Sequence, residues 1–506
     1  MSLNVPEEVR EEKIVNEKGR HIRGPKKTKP YSNPVFLDTI PKARRIKMPL
    51  ESLKSLVDTN AFFTSEDYLE KYGRDWTRFF EVKPSAVVFP KSTKEVQSIV
   101  LWANENNFKI VPSGGRTGLS GGAVASNGEI VLSLEKMNQI LDYDPIDRVV
   151  EVEAGLITEE LQNYAKEKGQ YFPVDFAARG SSQIGGNIAT NAGGIKVIKY
   201  GNFRDWVVGL EVVTGEGEIL ELNNGLIKNN TGYDFRHLFI GSEGTLGIIT
   251  KASMKLSSQP PEEMVLLLGL QNLKDIMPVF ENFTQKLPVT AFEMFTDKAL
   301  KYVKKASSLS SPLSDDFPVY LVVEVAAENE SIEEKLMEVF EYCMEEAWIH
   351  DGVISQNETQ AMEFWSYREL VAEAVAFAPP HKNDISVRIS KIPDFIEKIE
   401  KVYSEKYPDF EVVWFGHIGD GNLHINILKP DNMEMDKFLK EVHLVDRVLF
   451  EEIQELKGSV SAEHGVGLVK KEALQFSRTK IEIEYMKRIK KSFDPNLVLN
   501  PGKIFD

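Results

Sequence analysis

"VPSGGRTGLSGGAV", residues 111–124, places Gly114, Gly115, Gly118, Gly121 and Gly122 directly after an apolar β-like run. A dinucleotide-binding turn of the Rossmann type needs GxGxxG followed by a helix. Here the residue two beyond Gly114 is Arg116, and the next regular segment, "GEIVLSLEK", reads as a strand. A phosphate loop ending in GK[ST] is likewise absent. What remains is a loop whose backbone N–H groups can close around a diphosphate, because glycine lacks Cβ and accepts positive φ.

Upstream, "PSAVVFPKSTKEVQSIVLWANENNFKIVPSGG" reads as strand, helix, strand: Ser92 and Glu95 have capping-box spacing, and Val96, Ile99, Val100 and Ala103 follow at helical period. Downstream come the β-like "RVVEVEAG" and a helix in "ITEELQNYAKEKG". A second glycine loop, "FPVDFAARGSSQIGGNIATNAGG" (172–194), would let backbone pack flat against a planar ligand, and a third, "FIGSEGTLGIIT" (239–250), ends in a β run. Any one of them reads as turn punctuation. Three in one α+β region point to a shared ligand.

"SSQPPEE" (257–263) is a proline-containing polar break and the main domain boundary. Beyond it, "EEMVLLLGL", a helix in "NLKDIMPVFENFTQK", "AFEMF", "VYLVVEVA" and a helix opened by Ser331 and Glu334 predict a second α+β layer, with a sheet covered on one face. A mainly helical tail closes the chain. The expected organisation is a basic arm over 1–60, a first domain over 61–260, a second over 261–455, and a C-terminal segment, 456–506, returning to the first.

Composition narrows the function. With 42% apolar and 27% charged residues, the 506-residue chain is ordinary for a globular protein, and its longest apolar runs fall far short of a membrane span. The single cysteine, Cys343, excludes an intrachain disulfide and a CxxC pair. A net charge of −16 argues against a nucleic-acid partner. Residues 1–50 nevertheless hold twelve Lys and Arg against six acidic residues. The start therefore reads as a solvated arm, or one lying along a membrane surface, with no targeting signal. The expected location is cytoplasmic, peripheral to a membrane if the arm binds one.

"WFGHIGDGNLHINIL" (414–428) spends two of the eight histidines around a glycine turn. As a hairpin it puts His417 and His424 on one face, shared by Asn426. H-x6-H is not a standard zinc spacing, so a metal pair and two core histidines stay equally open on spacing alone.

"PSGGRTGLSGGAV", "GGNIATNAGG", "TGYDFRHLFIGSEGTLGIIT", "FGHIGDGNLH", "SAEHGVGL" and "NPGKIF", in that order over roughly residues 80–505, resemble the FAD-linked D-2-hydroxyacid dehydrogenases of the vanillyl-alcohol-oxidase fold. That group includes D-lactate dehydrogenases, the glycolate oxidase flavin subunit and D-2-hydroxyglutarate dehydrogenase. The resemblance implies an α+β protein: a two-subdomain FAD-binding domain, a substrate (cap) domain with an antiparallel sheet, and a helical C-terminal segment. It implies FAD contacts at Pro112, Ser113, Gly114, Gly115, Arg116, Thr117, Gly118, Ser120, Pro173, Asp175, Gly180, Ser182, Gly185, Gly186, Asn187, Ala189, Thr190, Gly244, Gly247, Ile249 and Asn500. Covalent members bond flavin through a histidine in the phosphate loop; this loop has none, so non-covalent FAD is expected.

By the same resemblance His417, His424 and Glu463 hold a divalent metal, for which two imidazoles and a carboxylate suit Zn²⁺. His464 is then the base that takes the hydroxyl proton, Arg368 clamps the substrate carboxylate, and Lys382 and Asn426 line the same pocket. The implied partners are a small anionic 2-hydroxyacid and an electron acceptor such as a quinone, a cytochrome or an electron-transfer flavoprotein; a homodimer is compatible with it. Two positions depart from the pattern of hydroxyglutarate-oxidising relatives: Ala372 stands where they carry a hydroxyl, and Arg388 where an apolar residue or proline is usual. Tyr233 and Asp234 are expected on the flavin-domain wall. Two other classes share the fold, an alkylglycerone-phosphate-synthase-like transferase and a flavin subunit of an oxidase complex. In the second, any iron–sulfur cluster has to sit on a partner, because one cysteine cannot hold it.

Overall fold

Alternating strand and helix signals over residues 86–133 produce the unit that carries the first glycine loop. In the computed structural model, which describes residues 50–77, 80–310, 313–378 and 380–506, Ala86–Val88, Ile130–Ser133 and Ile110–Ser113 run parallel, with Phe62–Phe63 antiparallel at the edge. The crossover helix is Thr93–Asn106. Ser92 Oγ accepts from the Glu95 N–H at 3.3 Å, but the Glu95 carboxylate turns to the Lys91 N–H (2.8 Å), so only half of the expected capping box forms. The basic arm lies outside the described residues except for its last few positions.

A second, five-stranded antiparallel sheet follows, in the order Ile140–Asp144, Val149–Glu153, Gly247–Lys255, Val207–Thr214, Ile219–Leu222. The three glycine loops meet between these two sheets. One leaves the end of Ile110–Ser113, one precedes Gly247–Lys255, and the loop over 172–194 contains the two-turn helix Ile184–Thr190. Small residues let that helix approach Ala154 closely: a Cβ on Gly185 would lie 2.6 Å from the Ala154 Cβ.

Ser257–Ser258 pairs with Gln170–Tyr171 before the chain enters a seven-stranded antiparallel sheet. Its order is Asp351–Ile354, Glu263–Leu270, Val319–Ala326, Val289–Thr296, Glu411–His417, Asn422–Leu428, His381–Ser386. Both faces are covered, not one. Helices Ile276–Lys286, Glu330–Glu345, Ile392–Lys406 and Met435–Glu455 bury Phe283, Leu336, Phe395 and Phe438 on one side; Asp297–Ala306 and Glu358–Glu369 bury Val303 and Tyr367 on the other. This accounts for "VYLVVEVA", which is buried at all eight positions, since a strand covered twice has no reason to alternate. The cap of Glu330–Glu345 is Asn329, whose side chain accepts from the Ser331 N–H, so the helix starts earlier than Ser331 and Glu334 predicted.

The C-terminal residues return to the first sheet: Leu499 bridges to Ile110, and the Asn500 N–H donates to the Ile110 carbonyl at 2.7 Å. No helix among the described residues is long and apolar enough to cross a membrane.

Candidate active site

The loop Ser113–Gly118, helix Ile184–Thr190 and the start of strand Gly247–Lys255 wall a cleft that His464 also lines. Its backbone is shaped for close approach. A Cβ on Gly115 would run into the Ser181 carbonyl oxygen, whereas Gly186 faces open space. Two buried polar atoms on the lining, Ser113 Oγ and Gln183 Oε1, have no hydrogen-bond partner in the described structure. Polar atoms are rarely left this way unless a ligand or water completes them, so the cleft fits the extended polar cofactor that the glycine loops imply.

Of the expected cofactor contacts, Pro112, Ser113, Gly114, Gly115, Arg116, Thr117, Gly118, Ser120, Gly185, Gly186, Asn187, Ala189, Thr190, Gly244, Gly247 and Ile249 line this cleft. Arg116 does so with backbone: at φ 60° its guanidinium folds back to the Gly114 carbonyl (3.0 Å) and stacks on the Tyr72 ring. Asp175 and Gly180 line a second cleft instead. Pro173, Ser182 and Asn500 line neither. Ser182 bonds Thr158 and Asn187 beneath the helix; Asn500 Nδ2 ties the Gly122 and Glu243 carbonyls together at 2.9 and 2.7 Å. Tyr233 is 91% exposed and shapes no wall of either cleft.

The second cleft holds Arg368, Lys382, Asn426, His417, His424, Glu463 and His464, and His464 alone of these borders both. The hairpin supplies the histidine pair. Phe415 pairs with His424 and His417 with Asn422, so the two imidazoles are diagonal neighbours on one face, 5.3 Å between ring centroids. Across the neighbouring strand pair, Glu293 faces His417, and its Oε1 lies 2.8 Å from His417 Nδ1, turning Nε2 toward Glu463 Oε1 at 3.4 Å. One atom from each of His417, His424 and Glu463 lies within 4.8 Å of the others. An imidazole pair with a carboxylate, one ring oriented by a carboxylate behind it, is a donor set that fits a divalent cation.

Burial would lower His417, but Glu293 and Glu463 outweigh it and raise its imidazole to about 9; burial pushes Glu463 up to about 7. Uncompensated, these groups hold protons, which a bound cation has to displace. His464 differs: burial, Lys470 and Lys382 hold it below the ordinary imidazole range against the pull of Asp384. A neutral ring is the form that accepts a proton.

Asp384, Glu293, Lys470 and Glu243 were not singled out in the sequence. Asp384 is 1% exposed and accepts from the backbone N–H groups of Glu463 (3.0 Å) and His464 (3.1 Å), while its Oδ2 lies 3.5 Å from His464 Nδ1. That leaves Nε2 on the side of the ring away from Asp384. Glu243 accepts from Val466 N–H and Gly467 N–H, both at 2.7 Å, and Ser120 Oγ donates to the His464 carbonyl at 2.7 Å, so residues of the first cleft hold the loop that carries His464. The available signal was a charge inside an apolar β run, as in "AFEMF" and "NDIS".

Arg368 is 6% exposed, with Nε 2.9 Å from Glu293 Oε2 and its guanidinium over Phe415; its Nη2 has no hydrogen-bond partner in the described structure. Arg368 lines the second cleft, and a buried guanidinium with an unpartnered N–H group suits an anionic oxygen. Ala372 lines the cleft, as expected from its position; Arg388 is exposed and does not.

Residues 84–223 match the model of an FAD binding domain, and residues 259–504 that of the C-terminal domain of FAD linked oxidases. The chain is 52% identical over 456 residues to D-2-hydroxyglutarate dehydrogenase of Stutzerimonas stutzeri, covering 90% of this chain and 98% of that one. It is 53% identical over 455 residues to D-2-hydroxyglutarate dehydrogenase of Xanthomonas citri, covering 90% and 96%. Among solved structures, 4-ethylphenol oxidase from Gulosibacter chungangensis superposes with TM-score 0.71 at 18% identity, over 92% of this chain and 98% of that one, which establishes the fold. Two clefts that share one neutral histidine, on this fold and with these relatives, identify the chain as an FAD-dependent enzyme of the D-2-hydroxyacid dehydrogenase family.

Proposed function

We propose that the enzyme oxidises D-2-hydroxyglutarate to 2-oxoglutarate, assisted by a divalent cation, and passes the electrons to an acceptor other than NAD. The observation that carries this reading is the position of His464, on the border of the cofactor cleft and of a cleft that holds Arg368 and Lys382 besides Arg179, which is paired with Asp175. Two cations suit a dicarboxylate better than a monocarboxylate. Relatives bearing that activity in their names cover nearly their whole length with this chain.

His464 Nε2 takes the hydroxyl proton, and Asp384 holds the ring through Nδ1 and through the backbone. Arg368 Nη2 binds one carboxylate and Lys382 the other, with Asn426 donating to the substrate's oxygen between them. FAD supplies the hydride acceptor. His417, His424 and Glu463 would hold the cation, whose chemistry is to acidify the substrate hydroxyl. Ala372 offers no hydroxyl to a distal carboxylate, so Lys382 carries that contact alone. "GHIGDGNLHIN" and "AEHGVG" resemble the dehydrogenase form of these segments rather than the transferase form.

Anaerobic mixing with D-2-hydroxyglutarate, D-lactate and their L-enantiomers tests the proposal. D-2-Hydroxyglutarate should bleach the flavin with the highest kcat/KM; faster bleaching by D-lactate would transfer the assignment to a monocarboxylic acid. Acid precipitation should leave the flavin in the supernatant, and colour remaining in the pellet would show a covalent bond. Exhaustive chelation should abolish turnover while flavin absorbance and fold persist, and readdition of Zn²⁺, Mn²⁺ or Co²⁺ should restore it. Full turnover by metal-free protein would remove the cation from the mechanism.

A further inference from the structure

A second cluster of metal-ligating side chains lies outside the catalytic cleft, where the edge strand His381–Ser386 meets the helix Met435–Glu455. We propose that His381, His443 and Asp446 form a second divalent-cation site suited to Zn²⁺, with a fourth coordination position open to water. It does not depend on the catalytic cation.

The geometry carries this. His443 and Asp446 are three residues apart on one helix and so share a face. Strand alternation turns His381 away from the side taken by Lys382 and Asp384, toward that helix. His381 Nε2 lies 2.8 and 2.9 Å from the two oxygens of Asp446, and His443 Nδ1 lies 3.3 Å from Oδ2. Around a tetrahedral Zn²⁺ with bonds of about 2.0–2.2 Å, neighbouring ligand atoms stand about 3.3 Å apart. The histidine–aspartate separations are therefore within about half an ångström of what a tetrahedral ion needs, and all three ligand atoms lie within 4.8 Å of one another.

The surroundings are those of a built site. Asn383 Nδ2 donates to Asp446 Oδ1 at 2.7 Å, fixing the carboxylate from behind as second-layer donors do in metal centres. Asp446 is 8% exposed and its carboxylate accepts from Asn383 while facing both imidazoles. The His443 side chain is 65% exposed, which gives the ion a route in from solvent. The two rings meet edge to face, with centroids 5.5 Å apart. An ion here would pin the strand that carries Lys382 and Asp384 into the cleft.

Equilibrium dialysis of the full-length FAD-loaded enzyme against Zn²⁺, with zinc measured by mass spectrometry, tests the site directly. Wild-type protein should exceed His443→Ala by one equivalent per chain. His443 is at the surface, so this variant should fold and keep its flavin. His417→Ala, which reports on the catalytic cation, should retain the equivalent lost in His443→Ala, so the two sites succeed or fail separately. Equal zinc content in wild type and His443→Ala would overturn the proposal.

Discussion

Replacing His464 with alanine will leave FAD bound and slow anaerobic flavin reduction by about 10²- to 10⁴-fold, the range a positioned general base contributes. The loop should survive, because its grip is on backbone: Ser120 Oγ on the His464 carbonyl, Glu243 on the N–H groups of Val466 and Gly467. Flavin content and melting behaviour should therefore match wild type, and added imidazole should recover part of the rate. The pH profile gives a second readout. Burial, together with Lys470 and Lys382, lowers the His464 pKa against Asp384, so the base form persists as pH falls. The wild-type acid limb should lie below the ordinary imidazole value of about 6.5. A cation on the neighbouring donors moves it the same way. That limb should vanish in His464→Ala; an unchanged limb or rate would retire His464 as the base.

What was legible in the sequence was what local backbone chemistry encodes. The glycine loops show because close approach and positive φ select glycine at fixed positions, and the hairpin shows because its turn lies between two β runs. Register then places His417 and His424 diagonally on one face without further information. The sequence does not show which elements come to rest against these pieces. Asp384 and Lys470 meet across 86 residues, and Glu243 reaches Gly467 across 224. Nor does the sequence show that the Arg116 guanidinium would stack on the Tyr72 ring and bond the Gly114 carbonyl. The second covered face of the large sheet was missed for the same reason: an unbroken apolar strand states that it is buried, not which helices bury it.

Asp384→Asn should be the most destabilising single change at the site, by about 3–5 kcal/mol in urea unfolding, the cost of leaving one partner of a buried ion pair alone. The carboxylate is 1% exposed, with Lys470 Nζ 3.6 Å from Oδ2. Asn422 Nδ2 donates to Oδ1 at 2.8 Å, and the N–H groups of Glu463 and His464 donate to Oδ2. An amide keeps one acceptor oxygen but must point its NH₂ at donors on the other side, and it leaves the Lys470 ammonium, itself 8% exposed, without its foremost counter-charge. Adding Lys470→Met should recover more than half of the lost stability, because removing both members of a buried pair costs far less than removing one. Flavin reduction should stay slow in the double variant, since the acceptor that orients the His464 ring and backbone is still missing. A double variant no more stable than Asp384→Asn would mean that the hydrogen bonds to the loop, and not the buried cation, account for the stability at this site.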